Sequence, residues 1–178
     1  MQLSEELLER CRGADRQAQE SVYRMAYVPM MRLALRYTYN EQDAADVLNR
    51  AMLKVFTKVT QFQGDATNFP GWIRRIVVNE ALDFARAQQK RTSRQAALDQ
   101  PQTLEEGAVS QLMEQERLLF LLQQLPKTSA TVFNLYAMEG YSHQEISELL
   151  NLSVSNSKWH LYSARKKLQT LLRKSTAL

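Results

Sequence analysis

The sequence predicts an all-α protein of two small helical domains joined by a flexible linker, the C-terminal one a helix-turn-helix. Three observations lead there. Apolar residues recur at three- and four-residue spacing through most of the chain. Only five glycines and four prolines punctuate 178 residues, so long helices with few turns are expected. Between about residues 91 and 112 the periodicity fades and Gln, Ser, Thr and Pro101 take over. The expected boundaries are a front domain over 1–91, a linker over 92–112 and a back domain over 113–178.

In the front domain, residues up to about Tyr39 read as two amphipathic helices meeting near Pro29. One carries Val22, Met25 and Ala26, the next Met31, Leu33, Ala34 and Tyr37. Asn40 then caps a core helix, because Ala44, Val47, Leu48, Ala51, Met52, Val55, Phe56 and Val59 hold helical spacing for nearly five turns. Its outward residues, Asp43, Asp46, Asn49, Arg50, Lys54 and Lys58, form by default a solvated face. Gln63 to Asn68 is a loop. Pro70 suits the first turn of the helix that follows, predicted to reach about Lys90. Ile73, Ile76, Val77, Ala81 and Phe84 cover one side of it. Trp72, Arg75, Asn79, Asp83, Arg86 and Lys90 line another, a mainly basic stripe that can track a nucleic-acid strand. An aromatic at the head of such a stripe caps a core as readily as it stacks on a base.

The linker changes sign of charge. No basic residue lies between Arg94 and Arg117, whereas Asp99, Glu105, Glu106, Glu114 and Glu116 accumulate. A new helical pattern, Leu118, Leu119, Leu122 and Leu125, ends at Pro126, and Thr128 to Met138 forms the next helix.

The strongest local signal lies between Tyr141 and Leu172. Ser142-His143-Gln144-Glu145 fits a capping box, with Tyr141 and Ile146 as its staple. Asn151 tolerates the left-handed conformation of a sharp helix exit, and Ser153 is a second N-cap. In the long helix beyond, Leu161, Ala164, Leu168, Leu171 and Leu172 face the protein. Ser155, Trp159, Tyr162, Ser163 and Lys166 lie opposite, flanked by Asn156 and Lys158. Every charged side chain after Ser153 is Lys or Arg, the footprint of a helix that meets phosphates. Its first turns suit a major groove, where Lys, Asn and Ser address base edges. The competing reading is a solvated basic face with Trp159 folded back on a neighbour.

Composition excludes several classes. The chain is 44% apolar but has no continuous run long enough to cross a bilayer, so a soluble protein without membrane insertion is expected. The first residues lack the basic and apolar regions of a secretory signal, and the single Cys11 allows no intramolecular disulfide, which points to the cytoplasm. Two histidines, His143 and His160, and one cysteine offer neither a metal cluster nor a catalytic triad, and no glycine loop cradles phosphate. Neither an enzyme nor a cofactor is expected. An independent helix-turn-helix regulator would share the back domain, but should bind duplex DNA by itself, usually as a dimer. A helical adaptor without any DNA role is the third reading.

In the order of its parts the chain resembles the bacterial RNA polymerase sigma factors of the extracytoplasmic-function group. The resemblance covers nearly all of it. The family's Asp-Ala-x-Asp-Val pattern stands as Asp43-Ala44-Ala45-Asp46-Val47, and its Phe-x-Gly-Asp loop as Phe62-Gln63-Gly64-Asp65. Trp72-Ile73-Arg74-Arg75-Ile76 and Asn79 match the helix that follows. Leu125-Pro126, Val132-Phe133, Gly140 to Ile146 and Ala164-Arg165-Lys166-Lys167-Leu168 match the family's fourth region.

The resemblance implies two helical domains that bind core RNA polymerase and promoter DNA. The front one would read the −10 element, opening the duplex and holding an extruded base through Asp65, Asn68, Trp72, Arg75, Asn79, Asp83, Arg86 and Lys90. The back one would read the −35 element through Ser155, Asn156, Lys158, Trp159, Tyr162, Ser163 and Lys166. Asp43, Asp46, Asn49 and Arg50 would dock on the largest polymerase subunit. An anti-sigma factor is a further partner that relatives admit. Two positions depart from the pattern: Asn49-Arg50 stands where Gln-Glu or Gln-Asp is usual, and Ser155-Asn156-Ser157-Lys158-Trp159 replaces Gly-Thr-x-Lys-Ser.

Overall fold

A computed structural model describes the backbone of residues 3–95 and 114–176 and the side chains of residues 3–89 and 118–173. The described residues fold into helices joined by short turns and loops, with no strand among them. The chain divides into two compact units, Met1–Thr103 and Leu104–Leu178. The linker expected over 92–112 falls outside the described residues from 96 onward, and with it Asp99, Glu105 and Glu106, whereas Glu114 and Glu116 lie in the first helix of the second unit.

In the first unit α1 (Glu5–Arg12) starts at Ser4, whose Oγ accepts from the Leu7 N–H at 3.2 Å. Asp15 caps α2 (Arg16–Thr38) by accepting from the N–H groups of Gln17 and Ala18. Tyr39 ends α2 in the left-handed region at φ 66°, and Asn40 caps α3 (Glu41–Lys58). A 3-10 turn (Val59–Gln61) and the loop lead to α4 (Phe69–Gln95). Helices α2, α3 and α4 pack on one another around Val22, Ala26, Leu33, Leu48, Ala51, Val55, Ile73, Val77 and Ala81, all of them buried.

The expected junction at Pro29 is not there. Helix α2 runs through Pro29, and the break falls earlier, at Gly13 to Asp15. Pro29 sits on the exposed face, where water can serve the carbonyl that a proline leaves without a donor. The buried stripe of Ala26, Met30, Leu33 and Ala34 meanwhile continues unbroken across it and holds both halves to the same neighbours. Helix α4 also outlasts its predicted end near Lys90 by a turn.

The second unit comprises α5 (Glu114–Gln123), α6 (Lys127–Phe133) prolonged by a π turn (Asn134–Met138), α7 (His143–Leu150) and α8 (Val154–Thr176). Leu122, Ala130, Val132, Leu135, Ile146 and Ala164 form its core. Helix α8 packs against α6, α7 and α5. Leu172, expected on the inward stripe, is exposed, because the part of α8 beyond Leu168 outruns the buried stripe.

Candidate nucleic-acid interfaces and a docking face

The capping box at α7 forms in both directions: the Glu145 N–H donates to Ser142 Oγ, and the Ser142 N–H donates to the Glu145 carboxylate at 2.8 Å. Asn151 takes φ 52°, ψ 50°, the left-handed exit that turns the chain. Two residues later the Ser153 Oγ accepts from the Asn156 N–H at 3.0 Å and starts α8. Both helices of the turn motif thus begin on side-chain caps, as the sequence predicts.

Helix α8 turns Leu161, Ala164 and Leu168 inward and leaves the opposite face open. Trp159 is 61% and Tyr162 64% exposed, with Ser155, Asn156, Lys158 and Lys166 exposed beside them and Ser163 partly so. Trp159 meets the neighbouring His160 ring edge-on at 5.0 Å and is otherwise largely open, so it is not folded into the unit. An exposed indole and phenol among cations can lie against bases and sugars and do not close a core here.

Two Ser–His pairs that periodicity did not reveal hold this helix in place. His143 Nδ1 lies 2.9 Å from the hydroxyl of the fully buried Ser157, and His160 Nδ1 lies 3.0 Å from that of Ser129, tying α8 to α7 and to α6. The one available signal was Ser157 itself. It occupies an inward position in register with Leu161, Ala164 and Leu168, where a polar side chain needs a partner. The His143 ring also stacks on Tyr136 at 4.6 Å, over whose ring the Arg165 guanidinium sits at 5.7 Å. Burial, and then the cations of Lys158 and Arg165, hold the His143 imidazole below its ordinary pKa; burial does the same for His160.

In the first unit the Phe62–Asn68 loop is tightly organised. Asp65 Oδ1 accepts from both the N–H and the Nδ2 of Asn68, at 3.0 and 2.9 Å, and the Asn68 carbonyl accepts the first helical bond, from the Trp72 N–H. Asp65 and Asn68 are both exposed to solvent and hydrogen-bonded to each other. Trp72 is part of an aromatic trio, 5.1 Å from Phe62 and stacked 5.5 Å from Phe69. It is half-buried there, so its packing role is filled whatever else its edge meets. Beyond it Arg75, Asn79, Asp83 and Arg86 form one exposed row along α4, Arg86 pairing with Asp83 at 2.7 Å. Lys90 lies on the same helix, and its side chain is outside the described residues.

The outward face of α3 is less uniform than its sequence suggests. The Asp43 carboxylate accepts from the Asn40 Nδ2 at 2.6 Å as part of the helix cap. Asn49 accepts from the Tyr23 hydroxyl at 2.8 Å, and Tyr23 lies 6.0 Å from Tyr27 on α2. Asp46 and Arg50 are exposed, and Leu53 is 66% exposed. A face that mixes charge with an open Leu, on a helix whose other side is core, suits a protein partner. Among the described residues no His, Cys, Asp and Glu cluster could hold a metal ion, and no helix is long and apolar enough to cross a membrane.

The family model described as Sigma-70 region 2 matches residues 22–91, and that described as Sigma-70, region 4 matches residues 115–168. The chain is 26% identical to the RNA polymerase sigma-H factor of Pseudomonas aeruginosa, with 96% of each chain covered. It is 25% identical to the ECF RNA polymerase sigma-E factor of Haemophilus influenzae, with 92% of each covered. The fold is similar to that of the sigma factor RpoE solved in complex with the anti-sigma factor NepR from Bartonella quintana. That match has a TM-score of 0.55 and 19% identity, and covers 82% of this chain and 91% of that one. It is also similar to CnrH in complex with the cytosolic domain of CnrY, with a TM-score of 0.54 and 23% identity, covering 96% and 97%.

Proposed function

The chain belongs to the sigma-70 family, and on that premise we propose that it is an extracytoplasmic-function sigma factor, which binds core RNA polymerase and directs initiation at promoters by reading −10 and −35 elements. The observation that carries the reading is the pairing, in one chain, of a region 2 match with a region 4 match whose long helix bears an open basic and aromatic face. It acts by binding and has no catalytic centre of its own. Its place of action is the cytoplasm, where polymerase and DNA are.

In this reading residues 1–91 dock on polymerase and take the −10 element, residues 92–112 connect, and residues 113–178 take the −35 element. Asp65, Asn68, Trp72 and the Arg75, Asn79, Asp83, Arg86, Lys90 row meet the opened strand. Ser155, Asn156, Lys158, Trp159, Tyr162, Ser163 and Lys166 meet duplex in the major groove. Asp43, Asp46, Asn49 and Arg50 form the docking face on polymerase, with a charge at position 50 opposite in sign to the one usual in the family. An anti-sigma factor belongs to the same proposal, since masking either reader or the docking face would silence the protein.

Purified core polymerase should start transcripts at defined sites only when this chain is added. An independent regulator would instead footprint those sites alone as well as it does with polymerase, and that result would overturn the proposal.

A further inference from the structure

Helix α1 lies outside both matched segments, yet its polar side chains converge on the backbone of the Phe62–Asn68 loop. Arg12 Nη2 donates to the carbonyls of Phe62 and Gly64, both at 3.0 Å, while its other amino group pairs with Glu9. A Glu5 carboxylate oxygen accepts from the Ala66 N–H at 2.6 Å. Three bonds thus tie down Phe62, Gly64 and Ala66, with Asp65 between the last two. Leu8 and Cys11, both fully buried, and the packing of α1 on α2 and on the 3-10 turn make the helix a firm base for that grip. From the other side the Phe62 ring is held by Phe69 and Trp72.

A cation that satisfies two backbone carbonyls across fifty residues of sequence does more than close a chain. It sets which way the loop presents Asp65 and, through it, Asn68. We propose that Arg12 and Glu5 are positioning residues for promoter opening, holding the loop in the conformation that receives an unpaired nucleotide of the −10 element. This rests on the loop's role in the function proposed above. Preformed donors and acceptors lose less freedom on binding than a mobile loop would, so the brace favours strand capture without touching DNA.

The test uses the full chain assembled with core polymerase, and as probe a single-stranded oligonucleotide carrying the −10 sequence of a promoter mapped by transcript starts. Arg12→Gln and Glu5→Gln should each weaken strand binding, Arg12→Gln by roughly tenfold, the scale of a lost charge-assisted bond. Affinity for core polymerase should stay unchanged. Arg12→Lys, whose ammonium can still reach the carbonyls, should recover part of the loss. Asn68→Ala serves as the reference, and Arg12→Gln should add little to it if both act through the loop. Parallel loss of polymerase affinity in Arg12→Gln would overturn the proposal in favour of general folding support. If Asn68→Ala weakens strand binding and Arg12→Gln does not, the loop reads DNA without the brace and the proposal fails alone. If neither variant weakens it, the loop's role fails and takes the proposal with it.

Discussion

Gly64 shows how much one side-chain atom can decide. A Cβ there would stand 2.4 Å from the Phe62 Cζ, and the ring cannot simply swing aside because it packs 5.2 Å from Phe69 and 5.1 Å from Trp72. Gly64→Ala is expected to cost about 1–3 kcal/mol through that overpacking, seen as a lower thermal midpoint of the first unit. No fall in the midpoint would mean that the ring relocates freely. Trp159 presents the opposite case. With 61% of its surface open, Trp159→Ala should change stability by no more than about 0.5 kcal/mol, yet weaken holoenzyme binding to a −35 duplex. Unchanged binding in that assay would remove Trp159 from the reading face.

Among the elements, α7 depends most on its ends. It is only eight residues long, too short to persist on propensity alone, so its capping box and its packing on α8 must hold it. Ser142→Ala removes the cap acceptor for the Glu145 N–H and should cost about 0.5–2 kcal/mol, with hydrogen exchange accelerated first in α7. Acid should act on the same element. His143 and His160 have folded pKa values below the ordinary 6.5, so as pH falls past 6.5 the unfolded chain takes up protons before the folded one does. Their contribution to stability is therefore complete above about pH 6.5 and declines below it as the folded pKa values are approached. With only two histidines in the chain, an NMR titration of the imidazole protons reads this directly. An apparent pKa at or above 6.5 for His143 would contradict it.

For the whole molecule the acidic connection supplies the remaining expectation, and it comes from sequence alone. Asp99, Glu105, Glu106, Glu114 and Glu116 have no basic residue among them, so they repel one another and are drawn to any positively charged channel built for nucleic acid. Replacing Asp99, Glu105 and Glu106 by Asn and Gln should weaken binding to core polymerase at low salt, and salt should shrink the difference. Promoter choice should not change, because neither reading face is altered. Overlapping binding curves of wild type and triple variant at low ionic strength would reduce these carboxylates to a solvated spacer.

The all-α class, the Asn40 cap, the capping box at Ser142, the left-handed Asn151 and the inward run from Leu161 to Leu168 were all legible in the sequence. Each depends on residues within about one or two helical turns, where spacing and cap chemistry act locally. The Pro29 junction was misread because local chemistry disfavours a helix there, while burial of the stripe on either side, a tertiary matter, outweighs one lost hydrogen bond. The exposed rows on α4 and α8 could be drawn from periodicity, but that Trp72 sits in an aromatic trio whereas Trp159 stands open could not. Both tryptophans belong to a polar row, and only their neighbours in space distinguish them. Only the tertiary structure, too, brings Arg12 to the carbonyls of Phe62 and Gly64 and pairs His143 with Ser157, since a hydrogen bond between groups distant in sequence leaves no period to read.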